Sequence, residues 1–242
     1  IETTDPAFGM PAVWIEAGSR EQAQTLGYTV ADSATVIATH MSQVMQKHAH
    51  ELLGHQDVQQ LLDVLAKTSP KLVEELVPKT LPLATVARVL QSLLAEKVPI
   101  RNLRTICQAL LEHGARTQDP DALLAEVRVA LGRQIVQEIN GMNEQLPVIT
   151  LAPELEQMLH DLSQKGAGGV LEPGLAERIQ SSLQRTTREQ EARGEAAVLL
   201  VPPSIRGMLA RFVRQAVSGL HVLAHNEIPD DKQLRLVGSV AR

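Results

Sequence analysis

The middle of the chain carries apolar side chains at helical spacing. Between Gln56 and Asn140, apolar positions recur every three or four residues, the period of helices with one buried face. Proline marks the first turn of a helix at Ser69-Pro70 and at Asp119-Pro120, and breaks a continuous helix at Val98-Pro99. The pattern predicts a compact helical subdomain. Its helices are one with Val58, Leu61, Leu62 and Leu65 on its apolar face, one opened by Pro70, Leu83 to Leu94, Ile100 to Leu111, and a longer one from Pro120.

The C-terminal part of the chain, from residue 141, changes period. Four short apolar runs have the length of buried strands, and helical segments lie between them. The runs are Val148 to Leu151, Val198 to Val201, His221 to Leu223 and Leu234 to Val237. One of the intervening helices is opened by Pro202-Pro203-Ser204 and carries Phe212, which we expect in the core. Strands that alternate with helices predict an α/β subdomain.

The N-terminal part mixes strand and helix patterns. Up to Asp32, short apolar runs alternate with turn residues, and Ser19 to Thr25, rich in Glu and Gln, has a helical pattern. A longer helix follows, with Asp32 or Ser33 as its N-cap. The prediction is therefore an α+β fold of several subdomains. These are a partial α/β unit at 1–32, a linking helix at 33–55, a helical subdomain at 56–140 and an α/β subdomain at 141–242.

Three of the four aromatic side chains lie near the N-terminus, at Phe8, Trp14 and Tyr28. Trp14 and Tyr28 stand in apolar, strand-like runs, so we expect both to pack in the core of a small α/β unit. Phe8 lies between Asp5-Pro6 and Gly9-Met10-Pro11, a turn-rich context that presents a side chain. A presented aromatic offers a large contact area at low rotamer cost, which suits a docking surface.

Composition narrows the functional classes. The 242 residues carry 23 Lys plus Arg against 28 Asp plus Glu, and the formal charge of -5 gives no general attraction to a phosphate backbone. A primary nucleic-acid binder is therefore not expected. No apolar run reaches the roughly 18 residues that span a bilayer. We expect an excised part of a longer protein, because the chain begins at Ile1, and a reducing compartment, because Cys107 is its one cysteine.

The motifs assemble no catalytic constellation. His50 and His55 are about 140° apart around a helix, so they do not share the face that a zinc site needs. Gly166 to Gly169 lacks the spacing of a nucleotide-binding loop and is typical of a flexible turn. Cys107 lies in an apolar helical stretch without a neighbouring base, so we expect a buried small hydrophobe. The prediction is a protein without enzymatic activity, metal or cofactor.

An ordered set of motifs resembles one known family. The run DPAFGMPAVWI, from Asp5 to Ile15, is followed by Gly27 to Val30 and by Ala38-Thr39-His40. Further motifs are Glu51-Leu52-Leu53-Gly54, Glu75-Leu76-Val77-Pro78, Leu94 to Arg101, Val127 to Arg133 and Leu171 to Leu175. Together they resemble the cytoplasmic region of the FlhA family, the export-gate proteins of the flagellar type III secretion apparatus. Each motif alone is weak, whereas their order across nearly the whole chain is specific.

The resemblance implies a binding module. It implies docking of flagellar export chaperones with their substrates, contact with other export-apparatus components, and a nine-membered ring in the full-length protein. That protein would lie in the bacterial inner membrane, with this soluble part on the cytoplasmic face. The family's chaperone-binding dimple uses an Asp-x-x-Phe motif, matched by Asp5 and Phe8, and an Ala-Thr-His motif, matched by Thr39. Phe8 would supply an apolar anchor, Asp5 a charged acceptor, and Thr39 a hydroxyl beside a methyl.

Three alternatives stay open. In the first, Asp5-Pro6 only sets a turn, Phe8 only covers a core edge and Thr39 only fills an interior helix position. In the second, the chain is an export gate of the virulence type, with the same architecture and different partners, although the N-terminal motif favours the flagellar branch. In the third, Leu83 to His113 is the helix-turn-helix of a DNA-binding regulator, although the acidic balance weighs against it.

Overall fold

The fold is that of a computed structural model, which describes residues 1–7, 9–164 and 172–241. Its contacts divide the chain into two compact units, Ile1–Leu53 and Gly54–Arg242. The described elements of the first unit are an antiparallel hairpin, β1 (Glu2–Thr4) and β2 (Pro11–Val13), a 3-10 turn (Ala17–Ser19), and the helices α1 (Arg20–Thr25), α2 (Ser33–Lys47) and α3 (Ala49–Leu52). α2 begins where predicted, because the Asp32 carboxylate accepts a hydrogen bond from the Thr35 N–H at 2.7 Å. The same bond lowers the pKa of Asp32.

Gly27 to Val30, predicted as a strand, has no strand conformation. The Gly27 N–H donates to the Gln24 carbonyl at 3.0 Å, and the Tyr28 N–H donates to the Ala23 carbonyl at 3.1 Å. This pair of bonds is a Schellman motif, which ends α1 and needs a residue with positive φ directly after the C-cap residue, here Leu26. Gly27 supplies it with φ 87°. The strand prediction is therefore wrong, because the glycine and tyrosine close a helix.

Helices fill the first half of the second unit. They are α4 (His55–Ala66), α5 (Pro70–Glu74), a π-helical turn (Glu75–Thr80), α6 (Leu83–Ala95), α7 (Leu103–Gly114), α8 (Pro120–Ala130) and α9 (Gly132–Asn140). Pro70 and Pro120 occupy first turns, as predicted. α7 begins later than the predicted Ile100, because the Asn102 side chain accepts a hydrogen bond from the Thr105 N–H at 3.4 Å and caps the helix there.

The longer helix predicted from Pro120 is two helices, α8 and α9, which are separated at Leu131. A Cβ atom added to Gly132 would lie 2.2 Å from the carbonyl oxygen of Glu227. The backbone of a distant segment therefore packs directly against the first residue of α9. Helical periodicity continues through this point, so the sequence pattern does not reveal the break.

The rest of the second unit is a parallel sheet with helices. Its strands are β3 (Gln145–Leu151), β4 (Ala197–Val201), β5 (Leu220–Ala224) and β6 (Gln233–Val240), and its helices are α10 (Pro153–Gln164), α11 (Pro173–Ala192) and α12 (Pro203–Ala216). The strand order is β5-β4-β3-β6, and each of these pairings is parallel. Helices provide the crossovers from β3 to β4 and from β4 to β5 that parallel strands require. The four strands coincide with the four predicted apolar runs.

One apolar cluster lies where the sheet meets α10, α11 and α12. Ile149, Leu199 and Val201 contribute from the strands and are completely buried. Phe212 is half-buried and packs against this cluster, in agreement with its predicted core position. The predicted α+β organisation is confirmed, while the subdomain boundaries at 33, 56 and 141 stay predictions. None of the described helices is both long enough and apolar enough to cross a bilayer.

Candidate functional site

Asp5 lies in the connection of the β1–β2 hairpin and fixes its shape. Its N–H donates to the Met10 carbonyl at 2.8 Å, and its carbonyl accepts from the Gly9 N–H at 2.9 Å. Its carboxylate accepts from the Ala7 N–H at 2.8 Å, which makes an Asx turn. Gly9, at φ 69°, adopts the left-handed conformation that favours glycine. The turn expected at this point is present, while Phe8 lies outside the described residues.

Thr39 lies in the middle of α2, on its more buried face. It is half-buried, as are Val36 and Gln43, three residues before it and four after it. On the opposite face, Ile37 and Met41 are 62% and 57% exposed. An amphipathic helix packed on its own core would bury these apolar side chains. α2 instead turns its apolar side toward solvent.

Of the three predicted dimple residues, the structure describes Asp5 and Thr39. Asp5 and Thr39 lie on separate elements of the first unit, one in the hairpin connection and one on α2. Every residue of the two hairpin strands and of α2 is described, and these strands make no extensive contact with that helix. A joint site formed by Asp5, Phe8 and Thr39 therefore stays a prediction.

Trp14 and Tyr28 are surface residues, so their predicted core packing is wrong. Their exposed fractions are 52% and 70%. Every described residue of the first unit is half-buried or exposed, and a hairpin of two three-residue strands is too small to cover side chains of this size. The large apolar side chains exposed in this unit are Ile1, Met10, Val13, Trp14, Ile15, Leu26, Tyr28, Ile37, Met41, Val44, Met45 and Leu52. Apolar surface left exposed to this extent is typical of an interaction site.

Two histidines near α3 contact one glutamate. The Nδ1 atom of His48 lies 2.9 Å from Oε1 of Glu51, and the Nε2 atom of His50 lies 3.7 Å from the same oxygen. The hydrogen bond from His48 lowers the pKa of Glu51. Across residues 1–7, 9–164 and 172–241, no three His, Cys, Asp or Glu side chains are grouped as a metal ion would require. These histidines belong to a partly solvated helix junction.

Cys107 is completely buried on α7. Desolvation raises the pKa of its thiol to about 12, so the reactive thiolate is not formed at neutral pH. The prediction of a small hydrophobe at this position is confirmed. The predicted flexible turn at 166–169 lies outside the described residues.

A cluster of four charges, three of them buried and the fourth, Glu96, half-buried, lies in the second unit, and we call it the charged quartet. It consists of Glu96 at the end of α6, Arg128 on α8, Arg206 on α12, and Glu227 in a 3-10 turn (His225–Glu227) after β5. Nε of Arg128 donates to Oε1 of Glu227 at 2.9 Å, and Nη2 of Arg128 donates to Oε2 at 2.6 Å. Nη1 of Arg128 donates to Glu96 at 2.8 Å. Arg206 also donates to Glu96, and its Nε lies 3.8 Å from Oε1 of Glu227.

The charged quartet joins the helical half of the second unit to its sheet half. Burial alone would lower the pKa of Arg128, but the carboxylates of Glu227 and Glu96 raise it, so the guanidinium stays charged. The sequence pattern does not reveal this cluster, since its partners lie up to 110 residues apart. The available signal is Arg128 itself, a lone charge within the apolar run Val127 to Leu131.

The sequence and the fold define a member of one family: the chain belongs to the FHIPEP family, which it matches over residues 1–233. It is 46% identical over 238 residues to the flagellar biosynthesis protein FlhA of Escherichia coli K12, a match that covers 98% of this chain and 34% of that protein. It is 38% identical over 243 residues to FlhA of Bacillus subtilis 168, covering 99% and 36%. The chain thus spans about a third of the length of these curated relatives. The resemblance that the motifs indicate is confirmed.

Two solved structures share the fold. The CdsV protein of Chlamydia pneumoniae matches with a TM-score of 0.86 at 24% identity, over 99% of this chain and 70% of that one. The nonameric SctV-C of EPEC matches with a TM-score of 0.78 at 24% identity, over 93% of this chain and 68% of that one. At this identity the likeness establishes the fold, a mixed α+β architecture with a parallel C-terminal sheet.

Proposed function

We propose that this chain is the cytoplasmic docking platform of a flagellar type III protein export gate, and that it binds export chaperones carrying their substrates. The observation that carries the proposal is the similarity to flagellar FlhA proteins over 98% and 99% of the chain. The full-length protein would lie in the bacterial inner membrane and hold this part on the cytoplasmic side. Its contribution to export would be binding, without a catalytic step of its own.

The docking surface in this proposal is built around Asp5, Phe8 and Thr39. Two features of the first unit support it. Large apolar side chains such as Trp14 and Met41 are exposed there, and Asp5 and Thr39 of the same unit are only half-buried. An aromatic anchor surrounded by a few polar groups is the usual composition of an interface hot spot.

A ring and further partners belong to the same proposal. SctV-C, which shares the fold, is described as nonameric, and CdsV has been solved in complex with CdsO. By analogy, the full-length relative of this chain would form a nine-membered ring and contact other components of the export apparatus.

The flagellar branch is favoured over the virulence branch. Flagellar relatives reach 46% identity, whereas the CdsV and SctV-C structures stand at 24%. A DNA-binding role for Leu83 to His113 has less support. α6 and α7 both pack on α8, and Arg101, which would face a phosphate, lies 3.4 Å from a carboxylate oxygen of Glu138.

Two substitutions of Asp5 separate docking from turn formation. Asp5→Asn keeps an oxygen that accepts from the Ala7 N–H and removes the charge, whereas Asp5→Ala removes both. If Asp5 is a charged acceptor in the interface, we expect each variant to weaken binding of a purified flagellar chaperone–substrate complex about tenfold, as typical hot-spot losses of ~1.4 kcal/mol imply. The affinity is measured by calorimetry on variants with unchanged circular dichroism.

Glu21→Gln serves as the matched control, since it removes an exposed carboxylate from α1 of the same unit. Its affinity should equal that of the unmodified chain. A loss for Asp5→Ala with full binding by Asp5→Asn would reduce Asp5 to a turn residue. Full binding by both variants would contradict its place in the docking surface.

A further inference from the structure

An open cleft of about 360 Å³, with both polar and apolar lining, lies where α4 ends and α5 approaches α7. This volume falls within the usual range of ligand sites. Its polar lining comes from Thr68, Ser69, Lys71, Arg104 and Gln108, and Leu72 adds an apolar surface. The cleft lies in the second unit, whereas the residues of the proposed docking surface belong to the first unit. It therefore raises a separate question about what it binds.

The cleft is positively charged in a chain that is negative overall. Lys71 and Arg104 both line it, and no acidic residue is among its described lining residues, whereas the whole chain carries a formal charge of -5. Arg104 and its neighbour Arg101 make a useful contrast. Arg101 has a carboxylate of Glu138 at 3.4 Å, while Arg104 and Lys71 form no ion pair within the described ranges. Both cations therefore line the same concave surface, and neither has a carboxylate partner among the described residues.

The positions of the lining groups suit carboxylate oxygens. Arg104 and Gln108 are four residues apart on α7, so they lie on one exposed face. The opposite face of α7 is pinned in the core by Ile106, Cys107 and Leu110. The guanidinium fork of arginine matches a carboxylate with two parallel hydrogen bonds, and a lysine ammonium and a serine hydroxyl are further donors in the lining of the cleft.

We propose that this cleft binds an acidic peptide segment, rich in Glu or Asp, of a partner protein. Charge complementarity selects the carboxylate. Among its described lining residues there is no aromatic side chain on which a base could stack, so nucleic acid is disfavoured. Because both cations are exposed, the contact is weak and screened by salt, and it serves to orient a partner held by other contacts as well.

The probe is a fluorescein-labelled hexaglutamate peptide, titrated into the 242-residue chain at low ionic strength and followed by fluorescence anisotropy. We expect saturable binding that weakens as salt is raised through physiological strength. Arg104→Gln and Lys71→Gln should each lower the affinity about threefold, and the double variant should lose more than either, since each exposed ion pair contributes modestly. Labelled hexaglutamine should not bind.

Matched controls remove equivalent charges outside the cleft. The two controls are Arg116→Gln, at a residue just beyond the other end of α7, and Lys79→Gln, at a residue in the π-helical turn that follows α5. Both should bind hexaglutamate as the unmodified chain does. Equal losses in controls and cleft variants would reduce the effect to net charge and overturn the proposal. Unchanged binding by the double variant would also overturn it. The proposal would equally fail if hexaglutamate does not bind, while sedimentation shows that the unmodified chain associates with itself and that the double variant does not.

Discussion

Arg128 and Arg211 form ion pairs of the same chemical type in very different surroundings. The side chains of Arg128 and Glu227 are each 2% exposed, whereas those of Arg211 and Asp121 are 61% and 67% exposed. Taking a charge out of water costs several kcal/mol unless a partner compensates, and water screens an exposed pair almost completely. At the residue scale, burial therefore determines how much each arginine matters to the fold.

Substitution of these two arginines tests that difference. Arg128→Met leaves the buried carboxylate of Glu227 without its principal partner, so we expect the free energy of unfolding to fall by about 3–5 kcal/mol. Arg211→Met should lower it by less than about 1 kcal/mol. Urea denaturation followed by circular dichroism measures both. Equal losses for the two variants would mean that the charged quartet does not hold the second unit together.

The junction of α8 and α9 shows how one element depends on another far away in sequence. Gly132 begins α9, and the carbonyl oxygen of Glu227 occupies the space that a Cβ atom would need. Gly207 is also helical, within α12, but nothing lies within 4 Å of the position that its Cβ would take. Both glycines are helical, but only at Gly132 do other atoms occupy the position that a Cβ atom would take.

Alanine at each glycine should therefore have opposite effects. Gly132→Ala forces the backbone at Glu227 to shift, and we expect a loss of about 1–3 kcal/mol, as for other overpacked sites. Gly207→Ala should gain about 0.5–1 kcal/mol, because glycine inside a helix has excess freedom when unfolded. Thermal unfolding of the two single variants provides the comparison. Stabilisation by Gly132→Ala would contradict the close approach.

Local signals in the sequence predict many elements, and distant contacts account for the failures. The strand at Ala197–Val201 and the helix capped by Asp32 follow from neighbouring residues alone. The pairing of Arg128 with Glu227 joins positions 99 residues apart, which no local pattern encodes. Tyr28 stands in a strand-like run and yet takes part in a helix-ending turn, because the glycine before it adopts a positive φ.

The candidate site is predictable in part for the same reason. The turn at Asp5 depends on hydrogen bonds within six residues, so the local sequence Asp5-Pro6 predicts it. The exposure of Trp14 depends on what the whole first unit can enclose, and an apolar strand motif does not reveal that. The ordered set of motifs, including the one around Asp5 and Phe8, indicates the family, while the assembly of the dimple with Thr39 requires contacts between elements and stays a prediction.

At the scale of the whole molecule, the two units have different characters. The second unit has a large apolar core, a parallel sheet and the charged quartet. The first unit has no fully buried side chain among its described residues and exposes many apolar ones. All three proposed docking residues belong to the first unit. This division fits a platform in which one unit supplies stability and the other offers surface to partners.

Affinity for loaded chaperones of the two secretion branches tests the central claim most directly. A purified flagellar chaperone–substrate complex and its virulence-type counterpart are each titrated into the chain and into a folded Phe8→Ala variant. We predict that the flagellar complex binds the chain at least about tenfold more tightly, a difference of ~1.4 kcal/mol, and that Phe8→Ala removes this preference. Equal affinity for both complexes, or flagellar binding that Phe8→Ala leaves intact, would contradict the account.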